Sequence, residues 1–238
     1  NQYFGSFKGL IFKDRTSVNY IQDKFQNFEI LRNVRVFSLK FDYFKNSIWV
    51  ATISKGLFKI NLNEYGKIIS VESFNEQMKG SYHIPNNSIW CFYQDKKGTL
   101  FVGTDAGLLQ KDINQNQFTS ILSQNIKNKK IMGIVSDKNS NLWLTNSLGV
   151  IKYTPKSGLS FNYNYNDGLL TNTFTEAVSS NEKGELFFGN VLGINYFKFD
   201  ELITNSFASK ISFTNLLVNN TEIKVNDNFL GAVLLAMA

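Results

Sequence analysis

Five segments of this chain share one order of residue types: an aromatic residue that opens a short strand, a small residue two places on, and a glycine with an apolar residue that closes a tight turn. They are Tyr3-Phe4-Gly5-Ser6-Phe7-Lys8-Gly9-Leu10, Trp49-Val50-Ala51-Thr52-Ile53-Ser54-Lys55-Gly56-Leu57, Phe101-Val102-Gly103-Thr104-Asp105-Ala106-Gly107-Leu108, Trp143-Leu144-Thr145-Asn146-Ser147-Leu148-Gly149-Val150 and Phe187-Phe188-Gly189-Asn190-Val191-Leu192-Gly193-Ile194. The anchors Tyr3, Trp49, Phe101, Trp143 and Phe187 are 46, 52, 42 and 44 residues apart, the period of a four-stranded propeller blade. One twisted sheet cannot bury both faces by itself, so a chain with this period must stack its sheets side by side.

The third copy shows how one repeat becomes a blade. Ile89-Trp90-Cys91-Phe92-Tyr93-Gln94 reads as an innermost strand, and Asp95-Lys96-Lys97-Gly98 as a tight reversal. Thr99 to Thr104 is the second strand, Asp105-Ala106-Gly107 the next turn, Leu108 to Lys111 the third strand, and Gln117 to Leu122, alternating polar with apolar, the outer strand. Asp137-Lys138-Asn139-Ser140 and Asn181-Glu182-Lys183-Gly184 repeat the first turn, while Gly56, Gly149 and Gly193 repeat the second. Gly5, Ala51, Gly103, Thr145 and Gly189 are expected to let neighbouring blades approach while each aromatic anchor fills the gap.

The expected fold is therefore all-β, a β-propeller of four-stranded antiparallel blades over residues 1–205. The first copy lacks an innermost strand, so the count is four full blades plus part of one, read as a fragment of a ring in preference to a small ring closed by terminal strands. The repeat stops after Asp200, and residues 206–238 are expected to begin a β-sandwich, with a hairpin formed by Lys210 to Asn220 and Ile223-Lys224-Val225.

Composition agrees: 43% of residues are hydrophobic, 15% are aromatic, and 22 phenylalanines stand against 2 prolines, which favours strands and aromatic sheet interfaces. The net charge of +6 invites an acidic partner, yet Lys96-Lys97 and Lys127 with Lys129-Lys130 fall in expected loops, where solvated charge is the ordinary reading. No nucleic-acid partner is expected, while a sulfated or uronic-acid glycan remains open. The chain begins at Asn1 without a basic-then-apolar leader, so any signal peptide is expected to be gone or to lie outside it. The apolar run from Phe229 to Ala238 is shorter than the roughly 20 residues of a spanning helix.

At these residues the chain resembles the two-component regulator propeller family, the sensor portion of hybrid two-component systems in Bacteroides-like bacteria. The resemblance rests on the turn–strand–turn segment from Asp95 to Leu108, on Tyr165-Asn166-Asp167-Gly168-Leu169-Leu170-Thr171-Asn172-Thr173-Phe174, and on Ile194-Asn195-Tyr196-Phe197 followed by Ile211 to Leu216. It implies that the blades are a fragment of a seven-bladed ring, in a periplasmic module of an inner-membrane protein that binds an oligosaccharide and signals, through a β-sandwich and a membrane helix, to a histidine kinase. The partners it implies are the sugar, other propeller and sandwich domains of the same parent chain, and a second copy in a homodimer, with the membrane reached only through a helix absent from this chain. Ala51 and Thr145 depart from the family's glycine, which bears on blade packing.

Catalytic chemistry finds little support. The recurring acids Asp95 and Asp137, with Asp42 near the equivalent place, start turns, where backbone hydrogen bonding accounts for them. His83 is the single histidine, so a histidine-based metal site or a Ser-His-Asp triad lacks its second imidazole. Cys91, the single cysteine, lies in an apolar strand, and no third group supports a dyad with His83. No catalytic residue, metal or cofactor is expected.

Sugar binding needs aromatic faces and convergent amides or carboxylates in a concave site. Loops entering innermost strands gather at one end of a propeller, so Tyr82, His83 and Asn87 in one loop and Tyr163, Tyr165, Asp167 and Asn172 in another are the candidate ligand-binding set. The alternative for each singly is structural, with Asn87 and Asn172 ending turns and the tyrosines covering blade edges. A propeller lyase or glycosidase and a protein-binding scaffold are the rival functions.

Overall fold

The structure is a computed structural model; it describes residues 2–13, 17–24 and 26–199, and four short strands between 216 and 233. The chain divides into two compact units, Asn1–Leu202 and Ile203–Ala238.

The first unit is a series of antiparallel meanders. Blade one holds β1 (Gln2–Ser6), β2 (Gly9–Lys13) and β3 (Val18–Tyr20), followed by a helical turn at Ile21–Lys24 and a 3-10 stretch at Gln26–Leu31. Blade two holds β4 (Val36–Asp42), β5 (Ser47–Thr52), β6 (Leu57–Leu62) and β7 (Ile68–Phe74). Blade three holds β8 (Ile89–Gln94), β9 (Leu100–Thr104), β10 (Gly107–Lys111) and β11 (Thr119–Ser120). Blade four holds β12 (Gly133–Ser136), β13 (Leu142–Asn146), β14 (Gly149–Thr154) and β15 (Leu159–Tyr163); blade five holds β16 (Phe174–Ser180), β17 (Glu185–Asn190) and β18 (Gly193–Lys198).

Three of these sheets have four strands and the first and last have three. Among the described residues blade one has no innermost strand, as expected; the outer strand expected of blade five falls after residue 199, outside the described residues. Of the expected outer strand from Gln117 to Leu122 only Thr119–Ser120 pairs as a strand. In the second unit β19 (Leu216–Val218) and β20 (Thr221–Ile223) pair antiparallel, so Thr221 and Glu222, expected in the turn, belong to a strand; the rest of the expected first strand, 210–215 and 219–220, lies outside the described residues. β21 (Asn228–Phe229) and β22 (Ala232–Val233) pair separately.

The side-chain period of two sorts each second strand between two interfaces. Ile48 and Val50 of β5 join a cluster with Leu10 and Phe12 of blade one, whereas Trp49 and Ala51 join Leu100, Val102 and Leu109 of blade three. Phe101 likewise faces Leu142 and Leu144, and Trp143 faces Leu186 and Phe188. Among the described residues the core is thus four inter-blade layers, each sealed by an anchor.

Two devices hold this spacing. The turn-starting acid reaches the anchor: Asp42 and Asp137 each accept the indole N–H of Trp49 and Trp143, at 3.3 and 2.9 Å. The small position meets the next blade: a Cβ on Gly103 would sit 2.6 Å from the Ile131 carbonyl oxygen, and Thr145, which has a Cβ, donates its hydroxyl to the Thr175 carbonyl at 2.8 Å.

Candidate functional site

Strands β4, β8, β12 and β16 pack side by side as the innermost strands of their blades. The segment leading into each of the first three is tied to the second turn of the preceding blade: Asn33 N–H donates to the Lys8 carbonyl at 3.2 Å, the Asn87 carbonyl accepts from Ser54 and Gly56 at 3.2 and 2.9 Å, and Ile131 N–H donates to Thr104 at 2.9 Å. These bonds bring turns and strand entries to the same end. Residues that flank the strand starts converge there.

A row of rings and cations occupies that end. The Arg35 guanidinium lies 4.6 Å from the Phe7 ring centre and 5.0 Å from that of Phe37. Phe37 meets Trp90 edge-on at 4.9 Å, and the Lys130 ammonium stands 3.4 Å over the Trp90 ring. The Trp90 indole donates to Asp105 at 2.8 Å, and Asp105 lies 4.0 Å from Lys130. Phe37 and Trp90 are half-buried, so their rings remain accessible at the strand starts.

Two cavities open beside this row. One, of 270 Å3, is lined by Phe37, Trp90, Met132 and Glu176 among others; the second, of 250 Å3, by Ser6, Phe7, Arg35, Phe37 and Glu176. Sharing Phe37 and Glu176, they form one concave region carrying aromatic surface, a guanidinium and an exposed carboxylate. That combination suits a ligand with both C–H faces and hydroxyls.

The expected loop residues lie at the same end but are engaged in holding their loops. Asn87 accepts Glu76 N–H at 3.0 Å on its side chain, while its own N–H donates to the Glu76 carboxylate at 3.2 Å. Asn172 accepts Tyr165 N–H at 2.6 Å, and Asp167 accepts Asn164 N–H at 2.9 Å, closing a capping box on the turn Tyr165–Asp167. Tyr163 stacks on Trp143 at 5.7 Å; burial, with Asp167 nearby, pushes its phenol above the ordinary range. Tyr82 packs on Phe74 at 5.3 Å, and His83 and Tyr165 are exposed. Of the seven, Tyr82 alone lines one of the described cavities, a groove between blades two and three.

Arg35, Phe37, Trp90, Lys130 and Glu176 escaped the sequence reading. Trp90 was legible only as part of an apolar strand, and Lys130 as solvated loop charge; the structure instead places Lys130 against an indole. The signal available was an aromatic at the start of two inner strands, with a cation two residues before Phe37 and another 40 residues after Trp90.

The acids at turn starts are occupied by their own turns. Asp95 accepts Lys97 and Thr99 N–H, each at 2.9 Å, and Asp137 accepts Asn139 and Asn141 N–H, each at 2.9 Å. Cys91 donates toward the Ile131 carbonyl at 3.7 Å, and burial pushes its thiol well above the usual range. Among the described residues no group of three or more His, Cys, Asp or Glu side chains is placed to hold a metal ion, and no helix is long and apolar enough to cross a membrane.

The family described as "Two component regulator propeller" matches residues 83–106, from the loop before β8 to the turn after β9. A histidine kinase of Formosa agariphila is 26% identical over 229 aligned positions, covering 75% of this chain; the chain spans 16% of that relative's length. Among solved structures, the extracellular domain assigned to a hybrid two component system of B. thetaiotaomicron superposes with a TM-score of 0.50 at 18% identity, covering 95% of this chain and 37% of that one. The virginiamycin B lyase of Staphylococcus aureus also gives 0.50, at 12% identity, over 81% of this chain and 63% of its own. The structural likenesses establish the fold, a β-propeller of antiparallel blades, and within it residues 83–106 of blade three match the two-component regulator propeller repeat.

Proposed function

We propose that this chain is a ligand-sensing, non-catalytic part of an extracytoplasmic two-component sensor, working in the periplasm, and that it binds an oligosaccharide at the channel end. The observation that carries this reading is the Phe7–Arg35–Phe37–Trp90–Lys130 row beside cavities that share Glu176. Half-exposed rings offer apolar faces to pyranose C–H groups, and the carboxylate and guanidinium offer hydrogen bonds to hydroxyls. Signalling to a histidine kinase, by way of sandwich and membrane segments of a parent chain, is the function such binding would serve. The likeness to a histidine kinase of Formosa agariphila and to an extracellular hybrid-system domain supports it.

Calorimetry against a panel of oligosaccharides, with the chain shown folded by circular dichroism, tests the reading. At least one sugar gives saturable heat, and Trp90→Ala weakens it about tenfold or more, the scale of a lost stacking contact. Heat from no sugar, or undiminished binding by Trp90→Ala, overturns it. The likeness to a lyase favours a second reading, in which a carboxylate such as Glu176 serves as a base. Product release from a polysaccharide, abolished in Glu176→Gln, would decide for that reading.

A further inference from the structure

A second concave region, sharing no residue with the Phe7–Lys130 row or its cavities, lies between blades two and three. Two adjoining cavities, of 200 and 230 Å3, share Trp49, Lys59, Lys111 and Asn116. Lys45 joins them on the first, with Asp42 and Asp112; Glu72, Ser81 and Tyr82 line the second. Each cavity therefore carries one lysine more than carboxylates.

The carboxylates are already engaged by neutral donors. Asp42 accepts Phe44 and Lys45 N–H and the Gln94 amide on one oxygen, at 3.1, 3.2 and 3.0 Å, and the Trp49 indole on the other. Glu72 accepts the Asn61 amide at 2.6 Å, and Asp112 the Thr99 hydroxyl at 3.1 Å. Among the described residues the ion pairs are Arg32 with Asp23 and Glu29, and Lys130 with Asp105; none involves the three lysines. Lys111 is half-buried and donates to the Gln115 carbonyl at 2.6 Å, which leaves two of its three N–H groups for another acceptor. A lysine in that position normally has an anionic partner.

We propose that these paired cavities form an oxyanion site, in which Lys59 and Lys111, supported by the Asn116 side chain and by Lys45, hold a sulfate or carboxylate group, free or borne by a saccharide. The size fits: a cavity of 200 Å3 admits a small oxyanion or one acidic sugar unit, not a polymer. The electrostatics agree with the geometry. Burial, and then Lys59 and Lys45, hold the Lys111 ammonium below its ordinary pKa against the opposite pull of Asp42 and Glu72, so a bound anion would relieve a like-charge repulsion. Lys59 is steered toward the same space by the Trp49 ring, whose centre lies 5.5 Å from its ammonium.

The test is calorimetric titration of the whole chain with sodium sulfate, sodium glucuronate and glucose, at constant ionic strength held by sodium chloride. Saturable heat with sulfate or glucuronate and none with glucose supports the site; a glucuronate affinity well above that of sulfate assigns the group to a sugar, and equal or reversed affinities assign it to a free oxyanion. Lys111→Met and Lys59→Met, which keep the apolar stems, each weaken binding about tenfold or more, and Lys96→Gln, an exposed turn lysine, leaves it unchanged. Should Lys111→Met fail to fold by circular dichroism, Lys59→Met decides. No saturable anion binding, or equal binding by the folded lysine variants, overturns the proposal, and neither result bears on the channel-end row.

Discussion

At the residue scale, the acid that opens a blade's first turn links the turn to the core. Asp137 is buried, and its two oxygens accept four donors: Asn139 N–H, Asn141 N–H, the Asn141 amide at 2.8 Å and the Trp143 indole. Removing the carboxylate leaves these donors without their acceptor, those of Asn141 and the Trp143 indole in buried positions. Asp137→Ala is expected to lower unfolding free energy by about 3 kcal/mol, and Asp137→Asn by less because one acceptor remains, as read from denaturant titration. An alanine variant within about 0.5 kcal/mol of wild type would refute this account of the turn.

At the element scale, what matters is how closely one blade's second strand can approach the next blade's first. A Cβ on Gly103 would lie 2.4 Å from the side-chain sulfur of Cys91, on the paired strand β8 of its own blade, and 2.6 Å from the Ile131 carbonyl oxygen of the segment entering blade four, and both segments are held by backbone hydrogen bonds. Gly103→Ala should therefore cost about 1–3 kcal/mol through forced separation of blades three and four, measured as a shift in the denaturation midpoint. Ala51 and Thr145 occupy the equivalent positions in blades two and four, both fully buried, and Thr145 donates across to the Thr175 carbonyl of blade five. The alternation around the anchors was legible from the chain alone; which small residue each interface demands was not, since it depends on the atoms that a different blade brings opposite.

At the scale of the whole first unit, equivalent positions differ in burial according to neighbours. The residue after the second-turn glycine is fully buried in blades two to four, as Leu57, Leu108 and Val150, but Ile194 in blade five is 63% exposed. Tyr196, on the same face, is stacked on Phe187 at 5.8 Å and is also exposed. Leu108→Ala is expected to cost about 2–5 kcal/mol by opening a cavity, whereas Ile194→Ala should change stability by no more than about 0.5 kcal/mol. Equal losses in the two variants, compared by thermal and denaturant unfolding, would mean that the Ile194 face is covered in solution.

The period of anchors, turn acids and turn glycines determined the blades by itself, because strand pairing and reversal depend on residues close together in the chain. The end of the propeller at which the candidate binding residues gather was legible for the same reason. Which side chains meet there was not: the loop residues Asn87, Asp167 and Asn172 satisfy their own backbone, whereas Arg35, Phe37, Trp90, Lys130 and Glu176 come from strand entries up to 141 positions apart. The same holds for Lys59 and Lys111, which belong to different blades. Stacking of blades brings such residues within a few ångströms, and no local pattern encodes a contact whose two halves lie in separate repeats.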